Sequence, residues 1–202
     1  MVQQDQNTDV TILVGYVFAE LTYGNWQRPA VGINLTREDV SKAIPDKSDP
    51  DTLTLLSGDH KTKGSEGPAF LTMSGTARDA LLFYAHHVRP LLPNIPGHHN
   101  TCLVLRNGKP LINHRDILKT VTRRYHLPNL PTLTLTRKSG ATELIRTHGD
   151  DNATVEALNR QMGHQRSTGD RYYRLSNRRQ EATSIRQTMD LVTARGKHFN
   201  CH

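Results

Sequence analysis

Apolar residues recur at helical spacing near the start of the chain and predict that it begins with a buried helix. They follow this period through residues 9–23 (DVTILVGYVFAELTY), which places them together on one face. Gly24 and Asn25 come next and are expected to end the helix. A second, shorter element is predicted at residues 34–43, with Thr36 as its N-cap.

Two short runs rich in Thr, Leu and other apolar residues predict a β-hairpin. They are TLTLL at 52–56 and PAFLTM at 68–73, and a turn-like stretch separates them. This turn contains Lys61 and Lys63.

Most of the remaining chain has patterns typical of helices, interrupted by a proline-containing loop at 90–100 and a short apolar run at 101–105. The expected helices are Ser74 to Arg89, 113–126 with Asn113 as cap, 132–147, 152–162 and 176–194. The predicted fold class is α+β, mainly α, with one small antiparallel sheet.

Positive charge is concentrated in the second part of the chain. The 202 residues carry a net charge of +7, with a pI near 9.6. Residues 1–114 contain 10 Lys and Arg against 11 Asp and Glu, whereas residues 115–202 contain 16 against 8. A polyanion is therefore the expected partner, bound through a phosphate-binding face in a salt-dependent way.

Two further features bear on the compartment. Cys102 and Cys201 are the only cysteines and lie far apart, which is typical of a reducing compartment. No apolar run approaches the roughly 20 residues that span a bilayer. We therefore expect an intracellular protein with no membrane partner.

A histidine and a tyrosine near the end of the chain are separated by a sequence spacing that indicates a candidate catalytic pair. Gly163-His164 is followed, nine positions after the His, by the second residue of the pair Tyr172-Tyr173. A phenol has a reference pKa of about 10 and is a poor nucleophile. It attacks a phosphodiester only when cations and hydrogen-bond donors neutralise the phosphate beside it. The rest of the chain must therefore supply such groups.

Two segments contain arginines that fit this demand. In WQRPAVGINLTREDV (residues 26–40), Arg28 is followed by Leu35, an acidic pair and Val40. In LTLTRKSGATEL (residues 133–144), Arg137 is followed by an Ala-Thr pair and a leucine. A guanidinium is always charged, and its paired donors match two phosphate oxygens.

Together these segments resemble the catalytic domain of the tyrosine recombinase and integrase family, over nearly the whole chain. The resemblance implies a catalytic domain at residues 9–195, between a disordered tail at 1–8 and a C-terminal tail at 196–202. It implies that Tyr173 is the nucleophile, because the family's spacing selects it over the alternative, Tyr172. The other catalytic residues that it implies are Arg28, Lys61, Arg137 and His164.

In the family, a lysine in a hairpin turn protonates the leaving oxygen, and Lys61 is the first candidate for this role. Lys63 is the alternative, and it is also a candidate phosphate contact, as is Lys138. The second arginine box departs from the family, because Thr134 stands where a histidine is usual. A Thr hydroxyl donates a hydrogen bond to a phosphate, but it does not carry a proton near pH 7 as an imidazole does.

The resemblance implies a DNA strand transferase that cleaves and rejoins double-stranded DNA through a 3′-phosphotyrosyl intermediate, without metal or cofactor. The resemblance also implies homo-oligomers on DNA. The family's additional N-terminal domain, which closes a clamp around DNA, is not expected within residues 1–202. The Arg-Pro, His-Lys-Thr and Asp-Arg-Tyr-Tyr runs are similar to Crypton-type recombinases of eukaryotic mobile elements, which implies a nuclear location. The alternatives are a DNA-binding protein derived from a mobile element, with impaired or no catalysis, and a type IB topoisomerase-like enzyme.

Overall fold

The computed structural model describes residues 2–58, 68–128, 130–148 and 151–162. The chain divides into two compact units. One comprises Met1–Lys138 with Gln161–Gly163, and the other comprises Ser139–Arg160 with His164–His202. No helix in the described ranges combines the length and the apolar character that a membrane crossing requires.

The first helix, α1 (Val2–Ala19), continues into a π-helical turn at Glu20–Gly24, so the predicted end after Gly24 is confirmed. The helix begins at Val2 rather than at residue 9. Glutamines in this stretch favour the extension, because Gln is a good helix former and adding residues to an existing helix is easy. The predicted buried face includes Val14, Val17, Phe18 and Leu21.

Two five-residue helices follow, α2 (Pro29–Ile33) and α3 (Arg37–Ser41). The prediction of Thr36 as an N-cap is confirmed, since its Oγ1 accepts a 3.0 Å hydrogen bond from the Asp39 amide. The Asp39 carboxylate accepts the Thr36 amide at 2.9 Å, which completes a capping box. Helix α2 was not predicted, because one turn and a half is too short to show a period.

Three antiparallel strands form the sheet, in the order β1 (Ile44–Pro45), β2 (Thr52–Ser57) and β3 (Ala69–Ser74). The two predicted strands are confirmed, and the two-residue β1 adds an edge that its sequence did not signal. Pairing between β2 and β3 runs from Thr52 opposite Ser74 to Ser57 opposite Ala69. The turn that joins these two strands, with Lys61 and Lys63, lies outside the described residues.

The helix predicted from Ser74 to Arg89 is divided into three pieces. They are α4 (Gly75–Phe83), a π-helical turn at Tyr84–Val88 and a 3₁₀ turn at Arg89–Leu91. Ser74 occupies the N-cap position, but its side chain makes no capping bond. The Tyr84 hydroxyl donates to the Val104 carbonyl at 2.8 Å and accepts the Val104 amide at 3.0 Å. This pair fixes the apolar run at 101–105 against the helix.

Three of the four helices predicted after residue 112 are confirmed as α5 (His114–Arg124), α6 (Leu133–His148) and α7 (Asn152–Gln161). The helix predicted at 176–194 lies outside the described residues. Gly15 allows α1 and α5 to approach closely, because a Cβ at this position would lie 2.5 Å from Val121 Cγ2.

One apolar core holds the described part of the first unit together. It gathers the buried face of α1, the inward side of the sheet, and residues of α4 and α5. Its fully buried members include Phe18, Leu35, Leu55, Leu71, Leu81 and Leu103. Both segments that carry the predicted arginines contribute residues to this core, Val31 and Leu35 from the first and Leu133 from the second.

Candidate active site

The described structure includes four of the nine candidate site residues. Arg28 lies at the start of α2, and Thr134, Arg137 and Lys138 lie in the first turns of α6. The other five lie outside the described residues and stay predictions: Lys61, Lys63, His164, Tyr172 and Tyr173.

Arg28 is the N-cap of α2, with an extended backbone (φ −73°, ψ 148°). Pro29 favours this conformation, since a proline disfavours helical geometry in the residue before it. The rest of the first arginine segment has structural roles. Leu35 is fully buried, and Glu38 forms an exposed pair with Lys42. Arg28 is half-buried at the start of α2.

Arg137 connects the two arginine segments. Its Nε donates to the carbonyl of Trp26 at 2.8 Å, and its Nη2 donates to the carbonyl of Met162 at 2.9 Å. Trp26 precedes Arg28 by two residues, and Met162 precedes His164 by two. One half-buried guanidinium therefore joins the backbone two residues before Arg28 to the backbone two residues before His164.

Residues 25–28, which we call the arginine loop, begin with the C-terminal cap of the first helix, whose last turn is π-helical. Trp26 has a positive φ of 50°, in the left-handed region. Its amide donates to the Tyr23 carbonyl at 3.3 Å, and the Gln27 amide donates to the Thr22 carbonyl at 2.8 Å. These two bonds are those of a Schellman motif, in which glycine usually takes the left-handed position. A tryptophan there is strained, and strain of this kind is concentrated at functional sites.

Asn25 attaches the arginine loop to the sheet. Its buried side chain accepts the Thr72 amide at 2.7 Å and donates to the Thr72 carbonyl at 3.0 Å. The side chain therefore pairs with β3 as a neighbouring strand would. The sequence analysis missed this role, because the two residues are 47 positions apart and the only local signal was an Asn after the end of a helix.

Two glutamines add to the connections of the arginine loop. Gln27 donates to the Gln161 carbonyl, and Gln161 donates to the carbonyls of Asn25 at 3.3 Å and Phe70 at 3.2 Å. The loop is thereby joined to β3, to the first turns of α6 and to the end of α7. Neither glutamine was a predicted site residue, because amides in a loop and at a helix end carry no distinctive sequence signal.

A pocket of about 380 Å³ lies beside this loop. Its walls are the end of the first helix at Tyr23, the start of α2 at Pro29, one face of α5, and residues 130–134. The Tyr23 hydroxyl donates to the Pro131 carbonyl at 2.8 Å, which holds two of these walls together. Thr134, the residue at the position of the family's histidine, is part of the lining.

Helix α5 contributes positive charge to the same region. Arg115 and Lys119 line the pocket and are exposed, and Arg123 and Arg124 are exposed in the last turn of the helix. Asp116 is the one acidic residue of the helix, and it accepts a hydrogen bond from Asn113. This surface fits a polyanion.

Burial changes the acid–base behaviour of two residues that line the pocket. Burial raises the pKa of the Tyr23 phenol, so it stays protonated at neutral pH. Burial, and then the nearby charge of Arg115, lower the pKa of His114 below its usual 6.5. The imidazole of His114 is therefore neutral at pH 7 in this protein.

Comparison with known proteins identifies the fold. No protein-family model and no curated protein matches the sequence. The chain is similar to two crystal structures of the site-specific recombinase XerH. In the post-cleavage complex with a palindromic difH substrate, the TM-score is 0.58 at 13% identity over 90% of this chain. In the pre-cleavage complex with a difH substrate, it is 0.56 at 14% identity over 89%.

The predicted fold is confirmed by this similarity. The chain has a tyrosine recombinase-like catalytic-domain fold, mainly helical with a small antiparallel sheet. It spans about half the length of these XerH chains, 52% in each case.

Proposed function

We propose that this chain is the catalytic part of a site-specific DNA recombinase that cleaves and rejoins DNA through a 3′-phosphotyrosyl intermediate. The phenol oxygen of Tyr173 attacks the scissile phosphorus and loses its proton to solvent, and the bond from phosphorus to the 5′ oxygen breaks. Lys61 gives a proton to the departing 5′ oxygen. A second 5′-hydroxyl then attacks the phosphotyrosine and gives its proton to Lys61, and the released tyrosine takes up a proton from solvent.

The observation that carries this proposal is the pair of hydrogen bonds made by Arg137. They join the carbonyls of Trp26 and Met162, which lie two residues before Arg28 and His164. A reaction that adds negative charge to one phosphate requires cationic donors fixed in advance around it. The two bonds orient the Arg137 guanidinium before any substrate binds, and the α2 cap fixes the backbone of Arg28.

The expected contribution of each arginine is large. Removing one preorganised donor from an anion-stabilising site costs about 3–4 kcal/mol of transition-state stabilisation. Lysine keeps the charge but lacks the planar, paired donors of a guanidinium. Arg28→Lys and Arg137→Lys are therefore both expected to slow cleavage by about 10²–10³-fold.

DNA binding is supported by the exposed basic residues of α5 and by the DNA-bound recombinases that share the fold. Each phosphate contact that is removed should lower the slope of log affinity against log salt by about one. Lys119→Gln tests this on α5, and Lys47→Gln, in the loop before β2, is the matched control for loss of one surface charge.

The wider biological setting is also part of the proposal. The resemblance to mobile-element recombinases supports DNA integration or excision by a homo-oligomer in the nucleus, with residues 9–195 as the catalytic domain. Integration of a marked element in cells, compared between the unsubstituted chain and Tyr173→Phe, would test this setting.

A trapping experiment tests the chemistry directly. Duplex oligonucleotides with randomised sequence and a nick on one strand release a short 5′-hydroxyl fragment after cleavage, so the covalent adduct accumulates. We expect a protein–DNA adduct on a denaturing gel that Tyr173→Phe abolishes and the matched variant Tyr172→Phe retains. Absence of any adduct over the whole pool, with binding intact, would contradict the proposal.

A second function, DNA binding without cleavage, is favoured by one observation. Thr134 stands at the position of the family's histidine and has no imidazole to carry a proton. This function predicts salt-sensitive binding without an adduct. Relaxation of supercoiled plasmid by the chain alone would instead favour a topoisomerase-like activity.

A further inference from the structure

The pocket of about 380 Å³ beside the arginine loop has the size and the lining of a small-molecule site. Sites that bind small molecules have volumes of about 300–1,000 Å³, with mainly apolar walls and a few polar groups that orient the ligand. Leu118 and Leu133 supply buried apolar lining here, and the more exposed Leu130 adds to it. Every described lining residue lies in the first compact unit, so the pocket belongs to that unit.

Ring-bearing side chains form part of the pocket wall. They are Tyr23, Pro29, His114 and Pro131. The Tyr23 hydroxyl donates to the Pro131 carbonyl at 2.8 Å, which fixes two of these residues relative to each other. The His114 ring packs against the fully buried Phe18, with 5.6 Å between the ring centroids. Ring surfaces that are held in place favour a ligand with a flat ring of its own, because flat rings stack on one another.

The positive charge of the pocket comes from α5. Burial raises the pKa of Tyr23, and burial followed by the charge of Arg115 lowers the pKa of His114, so both rings are neutral at pH 7. Arg115 and Lys119 are the cations of the described lining, which contains no Asp or Glu. Neither takes part in any of the ion pairs found in the described part of the chain. The lining therefore favours a ligand that joins an anionic group to its ring.

Threonine hydroxyls give the pocket hydrogen-bonding capacity as well. Thr122, Thr132 and Thr134 all belong to the lining. The Thr132 Oγ1 accepts the amide of Leu135 at 3.2 Å, and a hydroxyl that accepts a bond can still donate its own proton. Groups of this kind match the donors and acceptors on the edge of a nucleobase.

We infer that this pocket binds one nucleotide, with its base among the ring-bearing side chains and its phosphate at Arg115 and Lys119. A nucleotide joins a flat ring with a polar edge to an anion, which is the combination that the lining fits. Paired DNA is too wide for this volume, so a nucleotide of DNA enters only when it is unpaired and turned out of the helix. A free nucleoside monophosphate has the same chemistry. Binding involves no bond cleavage, so this inference goes beyond the proposed function and does not require it.

The first arm of the experiment uses free nucleotides. The four deoxynucleoside 5′-monophosphates are titrated into the full chain by calorimetry, with inorganic phosphate as the comparison. At least one is expected to bind saturably and about tenfold more tightly than phosphate, since stacking of a base contributes a factor of this order or more.

The second arm uses DNA. Affinity is compared between a fully paired duplex and the same duplex with one additional unpaired nucleotide, at a single salt concentration. Capture of the unpaired nucleotide is expected to favour the second duplex by about tenfold, for the same reason.

Two substitutions connect either result to the pocket. Leu130→Trp places a larger side chain in the lining, and Arg115→Gln removes a cation from it. Each should weaken nucleotide binding by about tenfold, or abolish the preference for the unpaired nucleotide. Leu127→Trp and Arg124→Gln are the matched controls, because both residues are exposed and lie outside the described lining. Leu130 and Leu127 are 40% and 50% exposed, so neither change disturbs the core, and thermal unfolding of all four variants checks this.

The outcomes identify the source of the nucleotide and decide the inference. Binding in the first arm supports a free nucleotide, and a preference in the second arm supports a nucleotide of DNA. If neither arm shows an effect, the inference is overturned. It is also overturned if Leu130→Trp, with unchanged thermal unfolding, leaves the effect intact, whatever Arg115→Gln does, because binding then requires only charge or lies elsewhere. Adduct formation in the trapping assay is a separate readout, so the proposed function and this inference succeed or fail independently.

Discussion

The Nε atom of Arg137 donates a 2.8 Å hydrogen bond to the carbonyl of Trp26, 111 residues earlier in the sequence. Its second bond, to Met162, spans 25 residues. The two carbonyls lie next to predicted ligands of one phosphate, so this side chain joins the arginine loop and the residue after α7 to the first turns of α6. The first prediction concerns this side chain.

Arg137→Ala is expected to lower the free energy of unfolding by about 2–3 kcal/mol, because it leaves two carbonyls without their charged donor. The single tryptophan of the chain lies at one of these carbonyls, so its fluorescence during urea unfolding is the measurement. Arg146→Ala is the control on the same helix. Arg146 is exposed and pairs with Glu143, and its loss should leave the unfolding midpoint unchanged. Equal effects of the two substitutions would contradict the assignment.

Asn25→Ala is expected to destabilise the protein by about 3 kcal/mol. The substitution removes a buried side chain and leaves the part-buried amide and carbonyl of Thr72 without that partner. Thr72→Val is the matched control, because it keeps both backbone groups and removes only a 3.2 Å bond from the hydroxyl. Urea midpoints measure both effects, and a Thr72→Val variant as unstable as Asn25→Ala would show that the strand itself is responsible.

Trp26→Gly is expected to be more stable than Trp26→Ala by about 1 kcal/mol. Both variants lose the indole, but only glycine adopts a φ of 50° without steric strain. At Thr120, within α5, the order of stability should be reversed. Thr120→Ala should be more stable than Thr120→Gly by about 1 kcal/mol, because alanine is the better helix former. Thermal unfolding of the four variants measures both differences. If Trp26→Ala were more stable than Trp26→Gly, the left-handed conformation of residue 26 would be contradicted.

Cys102 predicts a loss of stability at alkaline pH. Its thiol is fully buried, and burial raises its pKa to about 12 from an ordinary value of 9.0. The folded state therefore binds the proton more tightly than the unfolded state. The stabilisation that arises from this difference in thiol pKa is complete below pH 9 and is lost between pH 9 and 12. By pH 10 the loss should be about 1 kcal/mol.

Urea unfolding between pH 8 and 10.5 measures this loss. Cys102→Ala should show a smaller decline with pH than the unsubstituted chain, whatever its stability at pH 8. Cys201→Ser is the control for general thiol chemistry and should retain the decline. The same slope in Cys102→Ala would mean that other groups account for it.

The elements that the sequence predicted well are those specified by local pattern. The apolar period of α1, the strands β2 and β3, and the Thr36 cap each depend on residues within a few positions of one another. The helices α5 to α7 are of the same kind. Short elements such as α2 and β1 were missed because five or two residues contain too little of a period.

The candidate site was predictable only in part, for a physical reason. Arg28 and Arg137 were found through a family resemblance, and nothing local in either segment indicates that Arg137 binds backbone carbonyls. The Schellman cap was missed because the rule expects glycine at the left-handed position, where this chain has Trp26. The pocket beside the arginine loop was missed because its walls come from segments that are far apart in the sequence.

The two bonds of Arg137 have a consequence for synthesis of the protein. A ribosome makes the chain from its N-terminus, and the carbonyl of Met162 emerges long after α1, the sheet and the arginine loop. The early segments have local contacts and fold quickly, whereas these bonds close loops of 25 and 111 residues. A nascent chain that ends before α7 therefore has the arginine loop but lacks the bond from Arg137 to Met162, so the arrangement around Arg137 is completed only after residue 162 has been made.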